Sequence, residues 1–296
     1  MKKLICFFLA ITLLLSFAAC DSDSDSDFDS STKKSTKSAN RNSQVTFDGQ
    51  TVVDNDICLI EVSSVKLSGK SGGSLKLLLE NHTSDKSLNF QIDHLSINGV
   101  TYTTYLYETL AAGKKTKATI DLTNETLDKL IGDYTDIHIT FYVQDNAKWD
   151  RLLEETVHIY PYGEEKATRY EREAQRTDAI VLDGRKATVI VTDCESRSAD
   201  YPYSDGYYVC FYAENHTEET INFFLRDVSV NDYMVETYLY DQNTIAPGES
   251  AFFTMCCYEA SLEKNDIDDV EIIEFTLSGS DDDYHDVIEK TVAIKP

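Results

Sequence analysis

LLLENHTSDKSLNF spans Leu77–Phe90, and CFYAENHTEETINF spans Cys210–Phe223. The echo decides the fold, because the match continues downstream of both stretches. LSINGVTYTTYLYETLAAG (Leu95–Gly113) answers VSVNDYMVETYLYDQNTIAPG (Val228–Gly248), and ETVHIYP (Glu155–Pro161) answers KTVAIKP (Lys290–Pro296). TFDGQ (Thr46–Gln50) and VLDGR (Val181–Arg185) mark the two entrances. Two copies are too few for a solenoid, and each has the size of an independent domain. The expected plan is a domain over 46–163, a linker over 164–177 and a second domain over 178–296.

Within each copy the apolar period is two. Leu75, Leu77 and Leu79 share one strand face, as do Val209, Phe211 and Ala213. Alternation rich in Tyr, Thr, Val and Ile, broken by turn residues, predicts antiparallel strands. About seven strands in ~115 residues is the size of an immunoglobulin-like sandwich, so the chain is expected to be all-β. ENHT suits a corner, since Asn tolerates left-handed angles and, like Thr, hydrogen-bonds its own backbone. Asn81, Asn124 and Asn215 also fit the N-glycosylation pattern, which is taken as coincidence. Short helices are expected at Asn124–Ile131, stopped by Gly132, and at Glu259–Lys264. In the linker, Glu165–Arg169 and Arg169–Glu173 are opposite charges four apart, which predicts a short helix.

The first nineteen residues carry Lys2 and Lys3, an apolar run from Leu4 to Phe17, and two alanines before Cys20. That is the layout of a signal peptide, too short for a membrane span. Its ending resembles the bacterial lipoprotein signal, which makes Cys20 the lipidated first residue. The stretch 20–45 then has the composition of a disordered Asp/Ser-rich tether. Its alternating aspartates lack a preformed oxygen cage for calcium. The chain is accordingly expected to be exported and lipid-anchored to the outer face of the cytoplasmic membrane, meeting lipid only through its N-terminus.

Removal of Lys2 and Lys3 leaves 25 basic against 52 acidic residues. A net charge of −27 excludes nucleic acid as a partner, because phosphate binding needs clustered Lys and Arg. The surplus is uneven: 46–163 carries −7 and 178–296 carries −19. Cys58, Cys194, Cys210, Cys256 and Cys257 form no disulfide framework, Cys194–Cys210 being the one bridge the spacing allows.

Candidate chemistry is thin. His82, His94, His138, His158, His216 and His285 fall in no metal or nucleophile motif, so no enzyme activity and no cofactor is expected. Asp281, Asp282, Asp283 and Asp286 are the densest group of hard-cation ligands, although a solvated hairpin loop explains them better. Tyr201, Tyr203, Tyr207 and Tyr208, in a segment marked as a loop by Pro202 and Gly206, are candidates for contact with a protein or glycan. Trp149 occupies the matching end-loop of the first copy.

Together, Phe17–Cys20, Glu80–Thr83, Ile97–Gly99, Ala111–Gly113, Glu214–Thr217, Val230–Asp232 and Ala246–Gly248 carry a resemblance. They resemble exported immunoglobulin-like lipoproteins of Gram-positive, often gut, bacteria, similar in plan to the immunoprotective-type extracellular immunoglobulin-like domains. The resemblance implies a place and a fold. The expected function, read from the loops and the lack of catalytic motifs, is a surface protein that binds a protein or glycan, or else a spacer or accessory lipoprotein of the envelope without a ligand site of its own. Asp232 stands where the first copy has Gly99, which opens the question of the turn type there.

Overall fold

The computed structural model describes residues 45–67, 73–124, 127–197, 205–241 and 243–296. The signal segment, Cys20, the tether up to residue 44, Tyr201 and Tyr203 lie outside the described residues. The first half runs β1 (Gln50–Asp54), β2 (Cys58–Leu67), β3 (Gly73–Asn81), β4 (Leu88–Ile97), β5 (Val100–Thr101), β6 (Tyr107–Leu110), β7 (Lys115–Asp121), α1 (Leu127–Ile131), β8 (Ile137–Asp145) and β9 (Arg151–Ile159). The second runs β10 (Ala179–Asp183), β11 (Ala187–Arg197), β12 (Gly206–Asn215), β13 (Ile221–Val230), β14 (Tyr233–Met234), β15 (Thr237–Asp241), β16 (Thr244–Ile245), β17 (Ser250–Tyr258), α2 (Glu259–Lys264), β18 (Ile273–Ser280) and β19 (Asp286–Ile294). The chain is all-β apart from short helices. Both helices fall where the sequence places them.

The duplication extends to hydrogen-bond register. Sheet order β1-β2-β3-β7 in the first half is repeated as β10-β11-β12-β17 in the second, and β4-β8-β9 is repeated as β13-β18-β19. The first half's registers slip between Thr51 and Val53, Val62 and Ser64, and Ile92 and His94. The second half slips between Ile180 and Leu182, Val191 and Asp193, and Arg226 and Ser229. Each slip turns a strand and adds twist, so the copies share curvature as well as order.

Each half closes two sheets over its own apolar cluster. Ile60, Leu75, Leu77, Leu79 and Ile120 meet Phe90, Ile97, Ile139 and Phe141 in one. Val189, Phe211 and Phe253 meet Phe223, Val230, Phe275 and Leu277 in the other. In the second cluster the Phe211 and Phe253 rings stack at 5.1 Å, while Phe275 meets Phe211 edge-on at 5.8 Å. Such pairs add to the burial of their area.

The recurring ENHT corner has one physical cause in both copies. Asn81 is buried, donates from Nδ2 to the carbonyls of Lys86 and Leu110, and accepts from Thr83 N–H and Oγ1. Asn215 is also buried, donates to Glu219 and Ile245 and accepts from Thr217 in the same way. Its amide nitrogen is therefore committed to the fold rather than available for a glycan. Asn98 and Gly99 (φ 52° and 78°) and Asn231 and Asp232 (φ 48° and 70°) are both left-handed pairs. The second copy keeps the turn despite Asp232, because Asp bears αL more easily than most residues.

Two features depart from expectation. A single 3₁₀ turn, Glu164–Lys166, replaces the helical linker, and the chain then runs irregularly to Asp178. Tyr170 and Arg172, two apart, both turn inward: Tyr170 packs edge-on against Tyr212 and Phe252, and the Arg172 guanidinium lies 5.6 Å from the Tyr212 ring centre. A helix would have pointed these side chains about 200° apart. The halves are also joined more closely than beads on a linker, since Ser43–Pro296 forms one unit. Ser250 N–H donates to Gly99 O at 2.9 Å, pairing β17 with β5 in parallel and merging strands of both halves into a ten-stranded sheet.

Candidate functional site

The junction buries a charge. Gly248 (φ 68°) closes the turn before β17, and Glu249 follows it. Its counterpart after Gly113 is Lys114, and the two backbones do the same work: Asn81 N–H donates to Lys114 O, and Asn215 N–H donates to Glu249 O. Lys114 is exposed, but Glu249 is 6% exposed because the first half covers it.

That cover is the outward face of β4 and β8. Leu95, Ile97 and Ile139 point into the first core, so the alternating residues His94, Ser96 and His138 point away from it. Ser96, His138 and His158 are paired in register across β4, β8 and β9. Ser96 Oγ donates to Glu249 Oε1 at 2.6 Å, and His138 Nδ1 meets the same oxygen at 2.9 Å. His94 Nε2 meets Oε2 at 2.8 Å, with Thr101 Oγ1 at 3.5 Å. Beyond them, His158 stacks on His138 at 4.4 Å and meets Asp136 Oδ1 through Nδ1 at 2.8 Å.

Burial opposes ionisation of Glu249, but the hydrogen bonds from His138, His94 and Ser96 outweigh it and hold its carboxyl well below the usual range. The donor atoms of His94, His138 and Glu249 all lie within 4.8 Å of one another. Among the described residues, this is the one group of His, Cys, Asp and Glu placed to hold a metal ion. No motif announced it. Glu249 lies in a turn and its partners are more than a hundred residues away. The available signal was a paired difference between the copies, Lys114 against Glu249.

A second feature lies on the outer face of β11, β12, β17 and β15. Tyr238 is 52% exposed and tilts against Tyr240 at 4.6 Å. Tyr240 stacks on Tyr208 at 6.2 Å, and the Arg197 guanidinium lies 5.2 Å from the Tyr208 ring centre, with Glu195 paired to Arg197.

The structure sorts the residues singled out by sequence. Tyr207 and Tyr208 belong to β12 rather than to a loop, and Tyr208 is buried under Tyr240 and Arg197. Gly206 starts that strand because a Cβ there would come within 2.3 Å of Cys257 O. Trp149 is 63% exposed, at φ 64°, in the β8–β9 hairpin of the other half. Asp281 accepts from the N–H groups of Asp283 and His285 and meets the His285 ring, closing its own loop. Asp282, Asp283 and Asp286 are exposed and do not converge with it on a common point. Cys194 and Cys210 are free thiols on opposite faces: Cys194 packs on the core, whereas Cys210 lies beside Arg197 and Thr254. Among the described residues no helix is long and apolar enough to cross a membrane.

No family model matches the chain, and no curated protein matches it. Among solved structures, the chain is similar to the exo-chitosanase CsxA of Amycolatopsis orientalis, at 14% identity and a TM-score of 0.24 over 78% of this chain and 26% of that one. It is similar to a red sea bream transglutaminase at 9% identity and a TM-score of 0.24, over 84% of this chain and 31% of that one. The chain thus spans less than a third of the length of either protein.

Proposed function

We propose that this chain is an exported protein, anchored through lipid on Cys20, whose two immunoglobulin-like sandwiches present a binding face to a protein or glycan without chemistry of their own. The observation that carries the reading is the tyrosine cluster on β12 and β15. Tyr238 offers a rigid amphipathic ring at the surface, Tyr240 and Tyr208 back it, and Arg197 and Glu195 supply polar contacts beside it. Stacked aromatics with flanking hydrogen-bonding groups suit the apolar face and hydroxyl rim of a sugar, or a peptide side chain. The strand Thr237–Asp241 pairs on one side with β17, which leaves the cluster at a sheet edge. Glycan and peptidoglycan arrays probed with the mature chain and with Tyr238→Ala test it. Binding lost in the variant supports the face, and binding that survives it moves the site elsewhere.

The continuous sheet through β5 and β17 favours a second reading, a stiff spacer in the envelope with no dedicated ligand. Absence of retention on every array by the wild-type chain would favour that reading. Mass spectrometry of the N-terminal peptide tests the anchor, which requires a diacylglyceryl adduct on Cys20.

A further inference from the structure

We propose that His94, His138 and Glu249 form a binding site for one divalent transition-metal cation of the zinc class, which clasps the two halves together. Two imidazoles and one carboxylate are a donor set for such a cation, with a further position left to water, whereas calcium and magnesium prefer oxygen alone. The three donor atoms span at most 4.8 Å. Ligand atoms in a tetrahedral zinc shell stand about 3.3 Å apart, so small side-chain rotations complete the closure.

Charge supports the assignment. Glu249 brings a carboxylate to a site whose side chain is 7% exposed, and its ionic partners among the described residues are two histidines, not Lys or Arg. A divalent cation held between these three side chains would balance that carboxylate, in a chain with a formal net charge of −25.

The duplication removes the alternative that the fold itself demands these residues. By register, Glu274 stands in the second half where His138 stands in the first; by the match of LSIN with VSVN, Asp227 stands where His94 does, and Lys114 stands where Glu249 does. The surroundings are those of ligands held in place. Ser96 and Thr101 orient the carboxylate, and His158, fixed by Asp136, stacks on His138.

The test is titration of the chelator-stripped mature chain with Zn²⁺, followed by calorimetry and thermal melting. The expected result is one equivalent bound, a raised Tm, and binding weakened roughly 100-fold or more in His94→Ala and in His138→Ala. His82→Ala and His216→Ala, in surface turns, should bind as wild type does. Far-UV circular dichroism checks that the variants fold. Should they not, the visible spectrum of Co²⁺ bound to wild type decides: nitrogen and oxygen ligation supports the site, and a thiolate charge-transfer band overturns it. No uptake by wild type, or uptake that survives His94→Ala, also overturns it.

Discussion

Ser96 Oγ lies 2.6 Å from Glu249 Oε1, a hydrogen bond that spans 153 positions of sequence and ties the first half to the second. It is one of four contacts to that carboxylate, and it is possible only because the outward face of β4 meets the start of β17.

Truncating Glu249 should therefore be costly. Glu249→Ala leaves Ser96, His94 and His138 without their shared partner in a covered site, and a loss of about 3 kcal/mol is expected. Lys114→Ala, at the equivalent place in the first half, should change stability by no more than about 0.5 kcal/mol, because Lys114 is exposed. Urea denaturation of both variants measures the contrast.

The corner asparagines predict a symmetric result. Asn81→Ala and Asn215→Ala each strand one buried and at least one half-buried carbonyl, so each should cost about 2–3 kcal/mol. Restoring size with Asp should not rescue either, since a carboxylate cannot donate to those carbonyls. Chemical denaturation midpoints check both.

How much of this was legible in sequence follows from where each contact lies. The corners and strands were legible because their causes are local: ENHT carries its own hydrogen-bonding partners, and Leu75, Leu77 and Leu79 declare a face. The linker was misjudged because charge pairs four apart favour a helix only weakly. Burial of Tyr170 and Arg172 between the halves overrides them. Glu249 was invisible as a site because a carboxylate in an APGES turn has the composition of a solvated loop. Its burial is created by strands more than a hundred residues away. Tyr208 was read as loop because Pro202 and Gly206 flank the segment, whereas Gly206 marks a close approach to Cys257 at the start of a strand.

The linker makes a pH prediction. Arg172 holds Asp178 through paired contacts of 2.6 and 2.7 Å, and Gln175 N–H donates to the same carboxylate, which lowers its pKa. A lowered folded-state pKa stabilises above the unfolded value, near 3.9, and that contribution disappears as pH falls through the folded value. Asp178→Asn should therefore be less stable than wild type by about 1–2 kcal/mol at pH 7, and the gap should narrow as pH falls below the unfolded value. Melts across pH 2–7 measure it.

Thiol reactivity should follow burial. Burial pushes Cys58 and Cys257 up to about 12 and Cys194 up to about 11, so little thiolate exists at neutral pH. In a disulfide-exchange assay, the half-buried Cys194 and Cys210 should react before the buried Cys58, Cys256 and Cys257. All five should react promptly in denaturant.

Differential scanning calorimetry tests the union of the two halves most directly. With two apolar cores but one continuous sheet and a shared buried carboxylate, the wild-type chain should unfold in a single transition, its calorimetric and van't Hoff enthalpies equal. Glu249→Ala should broaden or split it. Two independent transitions in the wild-type chain, unchanged by Glu249→Ala, would contradict the account.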